Sequence, residues 1–180
     1  MISSMVVFVI GLILDAIAST LFSFDFLLIQ PGFVTFFAFS FWVLVNLRLS
    51  VKNQLIFTLF VGVVFELINY NTYWMYLFVL ILLWPIFNWF SKVLRQSYLD
   101  QYIFVNIMTL LWLLFQYGYM KLFSLTHLSF QTFFFKRGFL TLLVQLLFSL
   151  IVVFVMRRYD RWVLQKDMER RRQEYVFFRE

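Results

Sequence analysis

From Ile2 to Met156 the chain is dominated by apolar positions, and they come in long runs rather than in alternation. Six runs stand out: about 2–23, 33–47 (its start reaching back towards 26), 54–69, 72–90, 102–122 and 138–156. About 20 apolar helical residues cross the hydrocarbon core of a bilayer, at ~1.5 Å of rise each. Each run therefore predicts a transmembrane helix, the shorter ones standing nearly upright or extending past their apolar stretch. The alternating segments of a membrane barrel do not occur, so the expected fold is an all-α integral membrane protein with six transmembrane helices over 1–156. The first run contains Ala16-Ile17-Ala18, which resembles a signal-peptidase site. No Lys or Arg precedes it and Asp15 adjoins it, so it reads as a retained helix.

Composition narrows the class. The chain has 180 residues, 63% hydrophobic and 13% charged, against roughly 45–50% and about 25% for a soluble protein. So apolar a surface has no counterpart in a soluble globule of this size, which excludes a soluble enzyme, a nucleic-acid-binding domain and a disordered chain. There are 27 Phe, 9 Tyr and 6 Trp; Phe suits hydrocarbon, and Tyr and Trp suit its boundary. The absence of Cys removes disulfide, thiolate and iron–sulfur chemistry.

Thirteen of the 24 charges fall in residues 157–180. That segment has no Gly or Pro and carries opposite charges at i,i+4, as in Asp167/Arg171 and Arg170/Glu174, so it predicts a basic helical tail continuing from the sixth run. It reads as a positive-inside anchor. Arg170, Arg171 and Arg172 could also meet anionic headgroups or dock a cytoplasmic partner. With six crossings, twelve Lys and Arg lie on the side of the termini, the 48–53 loop and the 91–101 loop, and three (Lys121, Lys136, Arg137) on the other. This predicts both termini in the cytoplasm.

Punctuation is sparse. Gln30-Pro31-Gly32 opens the second helix, Asn69-Tyr70-Asn71 makes a tight turn between the third and fourth, and Pro85 is expected to kink the fourth. The 123–135 loop is rich in Phe and Leu and is expected to lie ordered along the outer membrane interface or against a partner.

Charge in hydrocarbon is costly, so intramembrane acids are functional candidates. Asp15 and Glu66 are the two acids within the runs. Each lies on a stripe of small or polar residues: Gly11, Asp15 and Ser19 on the first helix, Thr58, Gly62 and Glu66 on the third. The sixth helix carries Thr141, Gln145 and Ser149, and the fifth Asn106, Thr109 and Gln116. Spacing of i, i+4, i+8 keeps each stripe on one face, and small residues let helices approach closely. Three readings stay open: packing faces with the acids hydrogen-bonded inside, a polar cavity for an ion, proton or small ligand, and contact with another subunit. Both acids are expected to face the interior at similar depth and near one another. His127 is the single histidine, and no metal-binding, nucleophile-elbow or phosphate-loop motif occurs, so no enzyme activity, metal or cofactor is expected.

Leu14-Asp15 in the first helix, Pro31-Gly32-Phe33 opening the second and Phe60-Val61-Gly62-Val63-Val64-Phe65-Glu66 closing the third make the chain resemble the MreD family of bacterial rod-shape-determining membrane proteins, over about residues 8–156. Glu66 stands where that family usually has Asp, and Asn69-Tyr70-Asn71 replaces its usual Gly-rich turn. The resemblance implies a non-enzymatic scaffold of the cell-elongation, peptidoglycan-synthesis machinery in a bacterial plasma membrane. Its implied partners are an MreC-like membrane protein and the wall-synthesis enzymes, with no nucleic acid. It also implies a fold similar to the S components of energy-coupling-factor transporters. The alternative is therefore a substrate-binding membrane subunit for a vitamin or other small molecule. A filled core between the first, third and sixth helices favours the scaffold, and an outward-opening cavity favours the binding subunit.

Overall fold

The structure, a computed structural model, describes residues 2–21, 36–68, 74–93 and 97–177, and among them every regular element is helical. In chain order these are α1 (Ile2–Leu21), α2 (Phe37–Asn46), α3 (Val51–Ile68), α4 (Met75–Ser91), α5 (Tyr98–Leu122), α6 (Phe130–Phe133), a π-helical turn (Phe134–Gly138) and α7 (Phe139–Phe177). Three helical stretches are long and apolar enough to cross a membrane: Val51–Ile68, Tyr98–Leu122 and Phe130–Val163. Helices α1, α2 and α4 supply shorter apolar stretches. The predicted turns Gln30-Pro31-Gly32 and Asn69-Tyr70-Asn71 lie outside the described residues, as do the side chains of Ser19, Arg170, Arg171 and Arg172.

Helix α2 is the axis of the bundle. All ten of its residues are buried, as expected for a helix that is apolar on every side. It packs against α1, α3, α5 and α7. Aromatic side chains fill the space around it. Phe8 of α1 meets Phe57 and Phe65 of α3 edge-on, with ring centroids 6.0 and 5.7 Å away. A chain of rings runs from Phe39 through Trp42 and Phe87 to Phe104, at 5.2, 5.8 and 5.3 Å. Each of these four side chains is almost wholly inside the protein. Such edge-on and tilted contacts suit the ring quadrupole and add about 0.5–1.5 kcal/mol per pair to area burial. Outside this core, α1, α3, α5 and α7 present exposed Val, Ile, Leu and Phe along their lengths, for example Ile10, Ile13 and Ile17 on α1 and Leu147, Leu150 and Ile151 on α7. So continuous an apolar exterior is matched by lipid rather than by water.

Two helix starts differ from the sequence reading. The fifth helix begins at Tyr98 rather than 102, because Ser97 is its extended N-cap residue and Asp100 in the first turn complements the positive helix end. The last helical stretch begins at Phe130 rather than 138. There the Ser129 Oγ accepts from the Thr132 backbone N–H at 3.3 Å and starts a helix that passes through the π turn into α7. Only 123–129 remains non-helical, and it is ordered. The Leu125 N–H donates to the Met120 carbonyl at 2.8 Å, and the Tyr117 hydroxyl donates to the Leu128 carbonyl at 3.2 Å. Tyr117 also packs on Phe130 and Phe133, with centroids 5.4 and 5.0 Å away. Helix α4 continues through Pro85.

Helix α7 runs on through the basic segment to Phe177. Two contacts hold its first turns beyond the apolar stretch. Arg48, in the α2–α3 turn, makes a two-pronged ion pair with Asp160, at 2.8 Å (Nε–Oδ1) and 2.6 Å (Nη2–Oδ2), and also donates to the Leu44 carbonyl. Arg157 donates to Gln101 Oε1 at 3.2 Å and stacks over the Tyr98 ring, 4.5 Å from its centroid. Both Arg48 and Asp160 are about 30% exposed, so solvent screens the pair and its contribution is about 1 kcal/mol or less. We therefore expect Arg48→Ala and Asp160→Ala each to speed amide exchange over residues 158–166, and the double variant to be no faster than the worse single one. Additive effects, read by hydrogen–deuterium exchange, would show that the two residues act separately.

Candidate functional site

The intramembrane acids have a definite structural job. Every helix leaves its first N–H groups without an internal partner, and a side chain normally covers them. The residues at the N-caps of α2 and α4 are Phe36 and Trp74, neither of which makes a side-chain cap. The acids supply the missing acceptors from the preceding helix. Asp15 of α1 accepts from the Phe37 N–H on Oδ1 at 2.9 Å and from the Ala38 N–H on Oδ2 at 2.8 Å. Glu66 of α3 accepts from the Tyr76 and Leu77 N–H groups, both on Oε1, at 2.5 and 3.2 Å. An anion at a helix N-terminus is favoured by the aligned peptide dipoles, and hydrogen bonds to charged groups are worth ~1.5–3 kcal/mol.

One turn before each acid is the glycine that lets the capped helix come close. A Cβ on Gly11 would stand 2.8 Å from the Ala38 Cα and 2.7 Å from a Phe41 ring carbon. A Cβ on Gly62 would stand 3.1 Å from the Leu77 Cα and 2.5 Å from a Leu77 methyl. In each hairpin the residue facing the glycine is also one whose N–H the acid receives. The two hairpins, α1–α2 and α3–α4, thus repeat one device: Gly-x-x-x-acid on the first helix seats and caps the start of the second. Each acid is half-buried and turned to the next helix in the chain.

The other stripes also face inward. Thr58, Thr141, Gln145 and Ser149 are buried. The Trp42 indole N–H donates to Thr58 Oγ1 at 3.2 Å, Gln145 Nε2 donates to Ser40 Oγ at 2.6 Å, and Asn106 Nδ2 donates to Ser149 Oγ at 2.9 Å. These bonds tie α2 to α3, α2 to α7, and α5 to α7. At the opposite end of the bundle from Arg48, Gln116 Oε1 and the Trp112 indole N–H are buried with no hydrogen-bond partner among the described residues.

Sequence reasoning missed Arg137. It was counted with the exterior loop, but the π turn carries it inside, where it is 3% exposed. It lies within electrostatic reach of the Tyr76 side chain, as Glu66 does of Tyr76 and Tyr119. The Tyr76 ring lies 5.5 Å from that of Trp112. The signal available in the sequence was an Arg embedded among Phe133, Phe134, Phe135 and Gly138, with no run of polar residues to take it into water. π turns recur at functional sites because the inserted residue re-aims its neighbours. His127 is exposed in the 125–129 turn, and no group of three His, Cys, Asp or Glu forms a metal site among the described residues.

Comparison with known protein families, with curated proteins and with solved structures finds no match for the chain.

The geometry ranks substitutions. Asp15 uses both oxygens, so Asp15→Asn sets an NH2 donor against a backbone N–H and should cost about 1–3 kcal/mol. Glu66→Ala removes the acceptor of the Tyr76 and Leu77 N–H groups and should cost about 1–3 kcal/mol as well. Gly11→Ala, which meets backbone, should cost more than Gly62→Ala, whose nearest obstacle is a movable Leu77 methyl; overpacking of this kind costs about 1–3 kcal/mol. Unfolding of the detergent-solubilised variants checks these costs, and a reversed glycine order would contradict the geometry.

Proposed function

We propose that the chain is a multi-pass membrane scaffold of the MreD type, working in the bacterial cell-elongation machinery. On this reading α1 to α5 and the Phe130–Val163 stretch make six crossings, both termini are cytoplasmic, and no chemistry is catalysed. The observation that carries the proposal is the use made of the residues behind the resemblance. Asp15, Gly62 and Glu66 are taken up in seating one helix on the next, together with Gly11. Phe8, Phe57 and Phe65 fill the space between α1 and α3, as a scaffold requires. The basic residues Arg48 and Arg157 lie at one end of the bundle, where positive-inside topology puts the cytoplasm.

A scaffold of this kind presents surfaces rather than a pocket, and its partners are an MreC-like membrane protein and the wall-synthesis enzymes. The second reading, a substrate-binding subunit of a small-molecule transporter, draws on the buried Gln116 Oε1 and Trp112 N–H, which have no hydrogen-bond partner among the described residues. Purification of the tagged chain from native membranes in mild detergent separates the two. The scaffold predicts co-purification of an MreC-like protein or a wall polymerase; a transporter ATPase pair in its place would reject it. Reporter fusions after Glu180 and at His127 test the topology: the first is expected inside and the second outside, and both on one side would refute six crossings.

A further inference from the structure

Helix α7 changes character between Val153 and Trp162, and its two faces there do different things. Towards the bundle, Val152, Val153 and Met156 are buried, Arg157 is held by Gln101 and Tyr98, and Asp160 is held by Arg48. Away from the bundle, Phe154, Arg158, Arg161 and Gln165 follow one another at i, i+4, i+7 and i+11, so they share a stripe. Tyr159 and Trp162 run beside them, with ring centroids 6.2 Å apart. Together with Val155 these residues line an open groove along the surface of α7. Arg158 and Arg161 are exposed and carry no ion pair among the described residues, although the acid between them is occupied by Arg48.

We propose that this groove binds the headgroup of an anionic phospholipid. The occupant follows from how the groove is graded. One end is continuous with the exposed Leu147, Leu150, Ile151 and Phe154, an apolar track suited to acyl chains. The middle holds Trp162 and Tyr159, side chains that favour the hydrocarbon–water boundary. The far end offers two guanidinium groups one turn apart, which can grip a phosphate through paired N–H donors in a way a lysine ammonium cannot. Only an amphiphile with a negative head meets all three zones at once; an acidic protein segment leaves the apolar track uncovered. The site is distinct from Arg170–Arg172 further along the helix. It rests on α7 crossing a membrane and holds whichever partners the bundle serves.

The test uses the full-length protein in an uncharged detergent, titrated with dioleoyl phosphatidylglycerol or dioleoyl phosphatidylcholine, with retained lipid counted by native mass spectrometry. We expect phosphatidylglycerol to be retained in preference to phosphatidylcholine. Arg158→Gln with Arg161→Gln should weaken its retention roughly thirty-fold, the combined effect of two basic residues at an anionic surface. Arg170→Gln with Arg171→Gln and Arg172→Gln should leave it nearly unchanged. Equal retention of both lipids, an unaffected Arg158/Arg161 variant, or loss confined to the Arg170–Arg172 variant would each overturn the proposal. If the double variant unfolds, the wild-type protein still decides: raised salt should release phosphatidylglycerol selectively, and salt-independent retention would refute the site.

Discussion

A helix that begins inside a protein in a membrane exposes N–H groups with no water to receive them. That constraint organises this chain. Helix α2 is buried on every side and its N-cap residue is Phe36, whose side chain has no acceptor to offer its first turn. Asp15 does so from α1 with both carboxylate oxygens. In hydrocarbon an uncovered backbone donor costs several kcal/mol, and an uncovered carboxylate costs more. Each group removes the penalty of the other, and the bond can form only when α1 and α2 are packed in one register. Glu66 repeats the arrangement for α4, where Trp74 occupies the N-cap with a left-handed backbone (φ 63°) and cannot serve as a cap. Register, helix spacing and charge burial are therefore one problem, met twice by the same four-residue spacing.

From those two hairpins the rest of the bundle follows. Gly11 and Gly62 bring backbones close, which leaves the larger gaps to rings such as Phe8, Trp42 and Phe87. Single side-chain bonds from Trp42, Gln145 and Asn106 then orient α3, α7 and α5 about the axis. Such bonds between helices are modest individually in membranes, about 0.6 kcal/mol on average, so they specify orientation more than they add stability. At one end Arg48 and Arg157 fasten the long α7 before it leaves the bundle.

Much of this was legible in the sequence. Runs of apolar residues located the helices because the bilayer rewards length and apolarity directly. The stripes of Gly11, Thr58, Gly62, Gln145 and Ser149 were legible because small and polar side chains are tolerated only where another helix covers them. The importance of Asp15 and Glu66 was legible from their cost. Their role was not, because their partners are backbone N–H groups at Phe37, Ala38, Tyr76 and Leu77, and a backbone donor has no letter in a sequence. The start of the last helix was hidden for a related reason: Ser129 in a Phe-rich stretch marks a cap only once Thr132 is seen above it. The burial of Arg137 was hidden for the same reason, because a helix read as starting at 138 leaves that residue in a loop, whereas the helical chain from Phe130 through the π turn carries it inside.

The central claim is that the first amides of α2 and α4 are hydrogen-bonded to carboxylates of the preceding helix. Site-resolved amide exchange of the lipid-embedded protein measures it directly. The Phe37, Ala38, Tyr76 and Leu77 amides should be protected as strongly as mid-helix amides of α3. Replacing Asp15 with Ala should expose the first pair and leave the second protected, and replacing Glu66 with Ala should do the reverse. If all four amides exchange rapidly in the unaltered protein, or stay equally protected when the acid is removed, the two hairpins are not held in the way described.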